Sequence, residues 1–295
     1  MEYFKREKDK LILEEDFFRN LKEPYEGEDF YFSLGFFSIK LKLRKKVLDI
    51  LSMKFKDKKG DFCVEPKIFK SPLRDFKYKK GNPEIYTIDF IEKGEKLIFF
   101  AYNFAALIDL KNLEDATLAV GDIDDETLSG EIENFLRIYS GLILPKYKAF
   151  LFHSSAVLTE MGAFVFFGPS SAGKSTIANI FKDEGFKVLS DDLNIFLLKD
   201  KLEVMASPFL SEVDKAEEGI FPVQRIFYLR KDEKNFIEKA SSLSQQAYLF
   251  SSLPVLNTLK FFHKEIFSVI SDIIKLKEVE VLHFKKDKEI VKWLK

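Results

Sequence analysis

The sequence has 295 residues, and 46% of them are hydrophobic, which is enough to fill the core of one large domain or of two ordinary ones. Lys and Arg total 47 against 48 Asp and Glu, so no basic excess favours nucleic acid as a partner. The single cysteine, Cys63, excludes an internal disulfide, and no Cys/His cluster has the spacing of a zinc site. We interpret the 33 phenylalanines as core residues.

The first residues of the chain predict neither a secretory signal nor a membrane anchor. Residues 1–8 are charged where a signal peptide would need an apolar core. No apolar run approaches the roughly 18 residues of a membrane span. We therefore expect a soluble, cytoplasmic protein without a membrane partner.

The first half of the chain has the pattern of a β-rich domain. Over residues 31–104, short runs of Phe, Ile, Tyr and Leu alternate with Lys, Asp and Gly, as in 36–41 and 85–90. A helix is predicted over 131–139, and we interpret the acidic cluster before it as a solvated helix start. That cluster lacks the glycine and the terminal glutamate of an EF-hand. We place a domain boundary near Pro145, between residues 1–145 and 146–295.

After Pro145 the pattern predicts a mixed α/β domain. A strand over 152–158 leads through a turn at 160–162 into a strand over 163–167 and then a glycine-rich loop. A helix over 175–181 follows and ends before Gly185. The later predicted elements are strands over 187–189, 194–198, 202–206, 225–229 and 279–284, an amphipathic helix over 259–274 and a short helix near Trp293.

The glycine-rich loop carries the P-loop, or Walker A, pattern G-x-x-x-x-G-K-[ST] between a strand and a helix. Its two glycines allow successive N–H groups to face a phosphate, and the helix adds the positive end of its dipole. Lys174 is expected to reach the β- and γ-phosphates of ATP or another nucleoside triphosphate, and Ser175 to bind Mg²⁺. The predicted nucleotide ligands are Gly168, Ser170, Ser171, Ala172, Gly173, Lys174, Ser175 and Thr176.

Two adjacent aspartates follow the strand that comes after the P-loop helix. One of them can bind the magnesium ion while the other accepts the proton of an attacking hydroxyl. We assign the metal to Asp192 and the base to Asp191, and the reverse order stays open. Neighbouring strand residues point to opposite faces, so both can reach the site only if the strand has ended or bulged at Ser190. His153 stands at the start of the strand that pairs by a hairpin with the strand feeding the loop, so the fold can bring it beside the phosphates, although strand histidines are often structural.

In these features the sequence resembles the HPr kinase/phosphorylase family and its relatives, which share a P-loop core with phosphoenolpyruvate carboxykinases. The likeness covers residues 152–198 and lies in the order of the segment 153–158, the turn at Gly162, the P-loop and the strand end Ser190-Asp191-Asp192. The resemblance implies a mixed-sheet kinase domain. It also implies that His153 lies near the phosphates and that the two aspartates serve as metal ligand and catalytic base.

The family's downstream signature Glu-Ile-Arg-Gly-x-Gly-Ile is replaced here by residues 211–222. This departure places the chain among divergent relatives and predicts an acceptor other than HPr. Residues 207–209 and 222–227 resemble the corresponding loop and strand of such relatives. Arg225, with Arg230 and Lys215 as further candidates, is expected to neutralise charge in the transition state.

We therefore predict a magnesium-nucleotide-dependent kinase that transfers the γ-phosphoryl group of ATP to a hydroxyl, with serine expected, on a protein, peptide or small molecule. The alternative is a non-catalytic ATP-binding module that regulates a partner through the N-terminal domain. A carboxykinase-like metabolic enzyme is less favoured, because the chain is short and shows no clear Lys/His set for a second metal. A homo-oligomer is compatible with either function.

Overall fold

The structure, a computed structural model, describes residues 4–7, 10–73, 76, 87–209 and 217–294. The chain is a mixed α/β protein that divides into two compact units, Met1–Tyr139 and Ser140–Lys295. The division lies inside a long helix, upstream of Pro145, where the sequence analysis placed the domain boundary.

The first unit is built mainly from strands. Its strands are β1 Phe4–Glu7, β2 Lys10–Leu13, β3 Glu28–Ser33, β4 Phe37–Leu43, β5 Phe62–Val64, β6 Lys67–Lys70, β7 Asp89–Lys93, β8 Lys96–Phe100, β9 Phe104–Asp109 and β10 Ala116–Val120. Its helices are α1 Glu15–Arg19, α2 Lys45–Lys54 and most of α3 Asp125–Ile143.

The strands of the first unit form separate sheets. One sheet has the order β3-β4-β5 and another the order β6-β10-β9-β8-β7, while β1 pairs with β2. In β3 the alternating Phe30 and Phe32 are fully buried, as expected for a strand with one face on a core. The prediction missed α2 and had expected strands there; the lysines of α2 lie at its two ends, and its buried residues Val47, Leu48 and Leu51 lie between them. Of the predicted strand at 85–90, residues 85 and 86 lie outside the described residues, and β7 begins at Asp89.

Helix α3 begins earlier than the predicted 131–139, and the acidic cluster explains why. The Asp124 carboxylate accepts a hydrogen bond from the Thr127 N–H at 2.9 Å and one from the Thr127 hydroxyl at 2.7 Å. The bond from the Thr127 N–H satisfies a backbone donor that has no partner within the first helical turn. Acidic side chains at this end also interact favourably with the helix dipole. The interpretation of this cluster as a helix start is confirmed.

The second unit contains the predicted P-loop segment. Its strands are β11 Ala149–His153, β12 Ser155–Thr159, β13 Gly162–Phe167, β14 Lys187–Ser190, β15 Leu193–Leu198, β16 Leu202–Ala206, β17 Phe221–Lys231, β18 Phe236–Lys239 and β19 Val279–Phe284. Its helices after α3 are α4 Lys174–Asp183, α5 Ser242–Ser251, α6 His263–Leu276 and α7 Glu289–Leu294. Single 3₁₀ turns cover Leu144–Tyr147, Leu256–Thr258 and Lys260–Phe262.

Within the described residues, nine strands of this unit join in one mixed sheet. Its centre has the order β14-β12-β13-β17-β19, in which β13, β17 and β19 are parallel and β12 runs against β13 and β14. Strands β11, β15 and β16 form a second ladder that reaches β17 only at its first residues. The loop that follows β13 therefore leaves the carboxyl edge of the parallel strands, where α/β proteins commonly bind ligands.

The predicted single strand over 152–158 is wrong, because Ser154 divides it. β11 pairs with β15, whereas β12 pairs with β13 and β14. At the division the Ser154 N–H donates to the Asp192 carbonyl oxygen at 2.9 Å, and the Asn194 side-chain amide donates to the Ser154 carbonyl oxygen at 2.7 Å. These bonds replace the ladder bonds of Ser154, so the chain passes from one ladder to the other.

The core beneath the glycine-rich loop is largely aromatic. Phe164 and Phe166 of β13 pack against Phe181 of α4 and Phe227 of β17, with ring centroids 5.6 to 6.5 Å apart. All four rings are at most 3% exposed. For these residues the interpretation of the phenylalanines as core is confirmed, and the packing fixes α4 against the strand that precedes the loop.

The predictions of β13, α4, β16 and β19 are confirmed to within two residues at either end. Helix α5 was missed. The predicted helix over 259–274 is confirmed from His263 onward as α6, and a 3₁₀ turn at Lys260–Phe262 takes the place of its first turn. Among the residues that the structure describes, no helix combines the length and the apolar character needed to cross a membrane.

Candidate functional site

The glycine-rich loop has the backbone conformations that its two glycines were expected to allow. Gly168 has φ 155° and Gly173 has φ 105°. A Cβ on Gly168 would lie 2.7 Å from the Ala172 Cβ, and one on Gly173 would lie 2.7 Å from Cζ of the buried Phe284. Ser171 also has a positive φ, 67°, which is uncommon for a residue other than glycine. A tight, strained loop of this kind is frequent at functional sites.

The loop ends in an open helix N-terminus. The Ile177 N–H donates to the Gly173 carbonyl oxygen at 2.9 Å. The N–H groups of Lys174, Ser175 and Thr176 come before this bond in α4, so they are available to a ligand. Ser170 and Ser171 are exposed and Ala172 is buried. The Ala172 N–H already donates to the Pro169 carbonyl oxygen at 3.1 Å, so the amides of the first turn of α4, together with the helix dipole, are the groups that can bind an anion.

The Lys174 side chain folds back over the loop. Its Nζ donates to the carbonyl oxygens of Gly168 at 2.9 Å and Pro169 at 3.2 Å. Ser155 fixes the same residue from β12, since its hydroxyl donates to the Lys174 carbonyl oxygen at 3.2 Å. Burial lowers the pKa of Lys174, and the charge of Asp192 acts in the opposite direction. The ammonium group is thus held at the loop within electrostatic range of a carboxylate.

His153 and Asp192 form a close pair beside the loop. The His153 Nδ1 lies 2.8 Å from the Asp192 carbonyl oxygen and 3.0 Å from its Oδ1. Both partners are acceptors, so Nδ1 carries a proton. The hydrogen bond to Asp192 raises the pKa of His153, while burial and the charge of Lys174 oppose that rise. His153 is also anchored through its backbone, whose N–H donates to the Ser252 carbonyl oxygen at 2.7 Å.

The strand before the two aspartates ends where the site requires it to end. Strand β14 stops at Ser190, and its pairing with β12 shifts register between Ala156 and Val157. The Ser190 hydroxyl accepts the N–H groups of Asp192 and Leu193, each at 3.3 Å, which turns the chain. Asp191 is buried, with 4% of its surface exposed, whereas the Asp192 side chain is 34% exposed. Of the two, Asp192 is the acid whose charge acts on Lys174 and His153.

The structure does not bring Arg225 to the loop, so this part of the predicted site needs correction. Its guanidinium makes a bidentate ion pair with Glu280 at 2.9 Å and lies over the Phe227 ring at 4.6 Å. Arg225 is opposite Phe164, three positions before the last residue of β13, which is roughly 10 Å along the strand. Lys215 lies outside the described residues, as do residues 211–216 of the segment that replaces the family signature.

Sequence reasoning missed Asn194, a fully buried polar residue next to the site. Its amide donates to the Ser154 carbonyl oxygen at 2.7 Å and to the Ser154 hydroxyl at 3.1 Å, which links β15 to the residue after His153. The available signal was a single amide in the otherwise apolar strand Leu193–Leu198. Buried amides of this kind are normally hydrogen-bonded and fix local geometry.

The donors at the loop suit a magnesium ion better than a transition metal. Among the described residues, no group of three or more His, Cys, Asp and Glu side chains could hold a metal ion. Magnesium binds through one or two carboxylates together with phosphate oxygens and waters. The Ser175 hydroxyl and the Asp192 carboxylate are oxygen donors of the required type.

No protein-family model matches the chain, and no curated protein has significant sequence similarity to it. The geometry defines a mixed α/β protein with a glycine-rich loop between a parallel strand and the N-terminus of a helix. A lysine, a histidine and an aspartate meet at that loop.

Proposed function

We propose that the chain is a magnesium-nucleotide-dependent phosphotransferase that moves the γ-phosphoryl group of ATP, or of another nucleoside triphosphate, to an acceptor hydroxyl. The observation that supports this most strongly is the glycine-rich loop with Lys174 folded over it and Asp192 within electrostatic range of that lysine. We further propose that the second unit is a kinase domain of the HPr kinase and carboxykinase type. The proposed acceptor is a serine or similar hydroxyl on a protein, peptide or small molecule.

In this proposal the loop and the first turn of α4 hold the phosphates. The amides of Lys174, Ser175 and Thr176 face the ligand with the positive end of the helix dipole behind them. Lys174 exchanges its bonds to the Gly168 and Pro169 carbonyl oxygens for bonds to the β- and γ-phosphates, which are stronger acceptors because they are charged. Before the nucleotide binds, the two carbonyl oxygens thus hold the lysine close to the position in which it would contact the phosphates.

Ser175 and Asp192 are the proposed magnesium ligands. When bound, the ion would neutralise charge on the β- and γ-phosphate oxygens. His153 is a positioning residue in this scheme, because its Nδ1–H binds both the backbone and the side chain of Asp192. Asp191 is the proposed base that accepts the proton of the acceptor hydroxyl.

Release of phosphate from magnesium ATP without an acceptor tests the proposal, because kinases hydrolyse ATP slowly in the absence of their acceptor. We expect measurable release by the wild-type chain and a loss of roughly two orders of magnitude or more in Asp192→Asn. Asp183→Asn is the matched control, since Asp183 is an exposed acid at the end of α4, far along the helix from the loop. Tight ATP binding without phosphate release above the uncatalysed rate would instead identify a non-catalytic nucleotide-binding module.

A further inference from the structure

Arg230 differs from the other arginines whose side chains the structure describes. Each of the others contacts a carboxylate: the pairs are Arg19 with Glu15, Arg44 with Asp125, Arg137 with Glu133 and Arg225 with Glu280. The guanidinium of Arg230 donates instead to a neutral group, the Tyr248 hydroxyl, at 3.2 Å. Within the described part of the chain, therefore, no acid binds this guanidinium.

Arg230 lies at the end of β17, beside the start of the glycine-rich loop. β17 runs parallel to β13, and Phe167, the last residue of β13, is opposite Tyr228. A Cβ on Gly168 would lie 3.6 Å from the Leu229 Cβ, and Arg230 is the next residue. Alternate residues of a strand share a face, so Arg230 leaves the sheet on the same face as Tyr228 and Phe167. Arg230 and the start of the loop thus lie at the same carboxyl edge of the sheet.

The exposed Arg230 side chain donates to Tyr248, and Tyr248 is itself held by its neighbours. The Tyr228 and Tyr248 rings stack with centroids 3.6 Å apart and planes 11° from parallel. Tyr248 is tied in turn to His153 through Ser252, whose hydroxyl donates to the Tyr248 carbonyl oxygen at 2.8 Å and whose carbonyl oxygen accepts the His153 N–H at 2.7 Å. A guanidinium bonded to one neutral partner retains several N–H donors for an anion.

We infer that Arg230 is a second cation of the nucleotide site and binds oxygens of the phosphate chain that the glycine-rich loop holds. This inference rests on the proposed function, since it requires a phosphate ligand at the loop. Lys174 supplies a compact charge, whereas the planar guanidinium can bind two oxygens of a phosphate at once. Arg225 and Arg230 were both candidates in the sequence analysis for a cation at the phosphates, and Glu280 already neutralises the charge of Arg225.

The test compares the affinity of the full chain for magnesium ATP and for magnesium tripolyphosphate, which lacks base and sugar, by calorimetry at one ionic strength. The variants are Arg230→Gln, Tyr248→Phe and the control Lys231→Gln. Lys231 is the next residue along β17, is exposed, and lies on the opposite face of the strand, so its variant removes the same charge nearby.

We expect Arg230→Gln to weaken both ligands by about tenfold or more, the loss of a charged hydrogen bond. Tyr248→Phe keeps the ring stack and should weaken the binding of both ligands by a smaller factor. Lys231→Gln should weaken it by less than about twofold, which is the effect of losing a surface charge. Equal losses in Arg230→Gln and Lys231→Gln would overturn the inference, and so would a loss for ATP but not for tripolyphosphate. If the wild-type chain binds neither ligand, the proposed function itself fails and the inference falls with it. Unchanged melting temperatures show that the variants are folded.

Discussion

Gly173→Ala should destabilise the second unit more than an ordinary glycine substitution does, for two separate physical reasons. The φ of 105° at Gly173 is a left-handed conformation, which costs a residue with a Cβ about 1–2 kcal/mol. The new Cβ would also lie 2.7 Å from Cζ and 3.3 Å from Cε1 of Phe284. The ring cannot move aside freely because Phe284 is 2% exposed and packs in the core under the loop. Overpacking of this kind costs about 1–3 kcal/mol, so the sum is about 2–5 kcal/mol.

Gly185→Ala is the matched control, because Gly185 has a similar φ of 87° and a Cβ there would meet nothing within 4 Å. It should therefore lose only the conformational term, about 1–2 kcal/mol. Urea denaturation of the wild-type chain and both variants, followed by fluorescence and circular dichroism, gives the two free-energy changes. The double variant Gly173→Ala with Phe284→Leu should recover part of the difference between them. Equal losses in Gly173→Ala and Gly185→Ala would refute the packing argument.

Two further predictions concern the pair beside the loop and the amide that supports it. In the chain without nucleotide or metal, the pKa of His153 measured by NMR should exceed its ordinary value of 6.5 and should fall in Asp192→Asn, because the bond to Asp192 raises it. The stabilisation of the fold by this pair is then fully present below pH 6.5 and is lost as the pH rises through the raised pKa of His153. A His153 pKa at or below 6.5 would contradict the pairing. Asn194→Ala should lower the free energy of unfolding by about 1–3 kcal/mol, since the Ser154 carbonyl oxygen loses a buried donor, and a loss under about 0.5 kcal/mol in urea denaturation would contradict its structural role.

The sequence predicted the segment from β13 to α4 well because its structure is encoded locally. An apolar run, a glycine at each end of the loop and a helical repeat of apolar residues suffice to define a strand, a loop and a helix. The end of β14 at Ser190, which the paired aspartates required, also depends on a local bond from the Ser190 hydroxyl. Local interactions of this kind can be predicted from the sequence.

The features that sequence reasoning missed depend on contacts between distant residues. Residues 152–158 contain no glycine or proline, so no local feature shows that the strand is divided at Ser154. The hydrogen-bond partners of Ser154, Asp192 and Asn194, come much later in the chain. The charge of Arg225 likewise appears available until the fold places Glu280 beside it, 55 residues further on.

Helix α5 was missed for a different reason. Its sequence, Ser-Leu-Ser-Gln-Gln-Ala-Tyr-Leu-Phe-Ser, has a weak helical repeat, and several of its residues favour turns as readily as helices. The Ser241 hydroxyl caps its start by accepting the Ser244 N–H at 3.2 Å. Because α5 carries Tyr248, the prediction also lacked the group that positions Arg230.

The affinity for magnesium ATP, measured by calorimetry on the wild-type chain, Lys174→Ala and Lys182→Ala, tests most directly whether the glycine-rich loop is a nucleotide site. Lys174 lies over the loop, whereas Lys182 is an exposed lysine in the last turn of the same helix. We predict saturable binding to the wild-type chain and to Lys182→Ala, and a loss of about tenfold to a hundredfold or more in Lys174→Ala, the range expected for one or two charged hydrogen bonds. The melting temperature should stay the same in all three. An unchanged affinity in a folded Lys174→Ala variant, or no binding by the wild-type chain, would contradict the account.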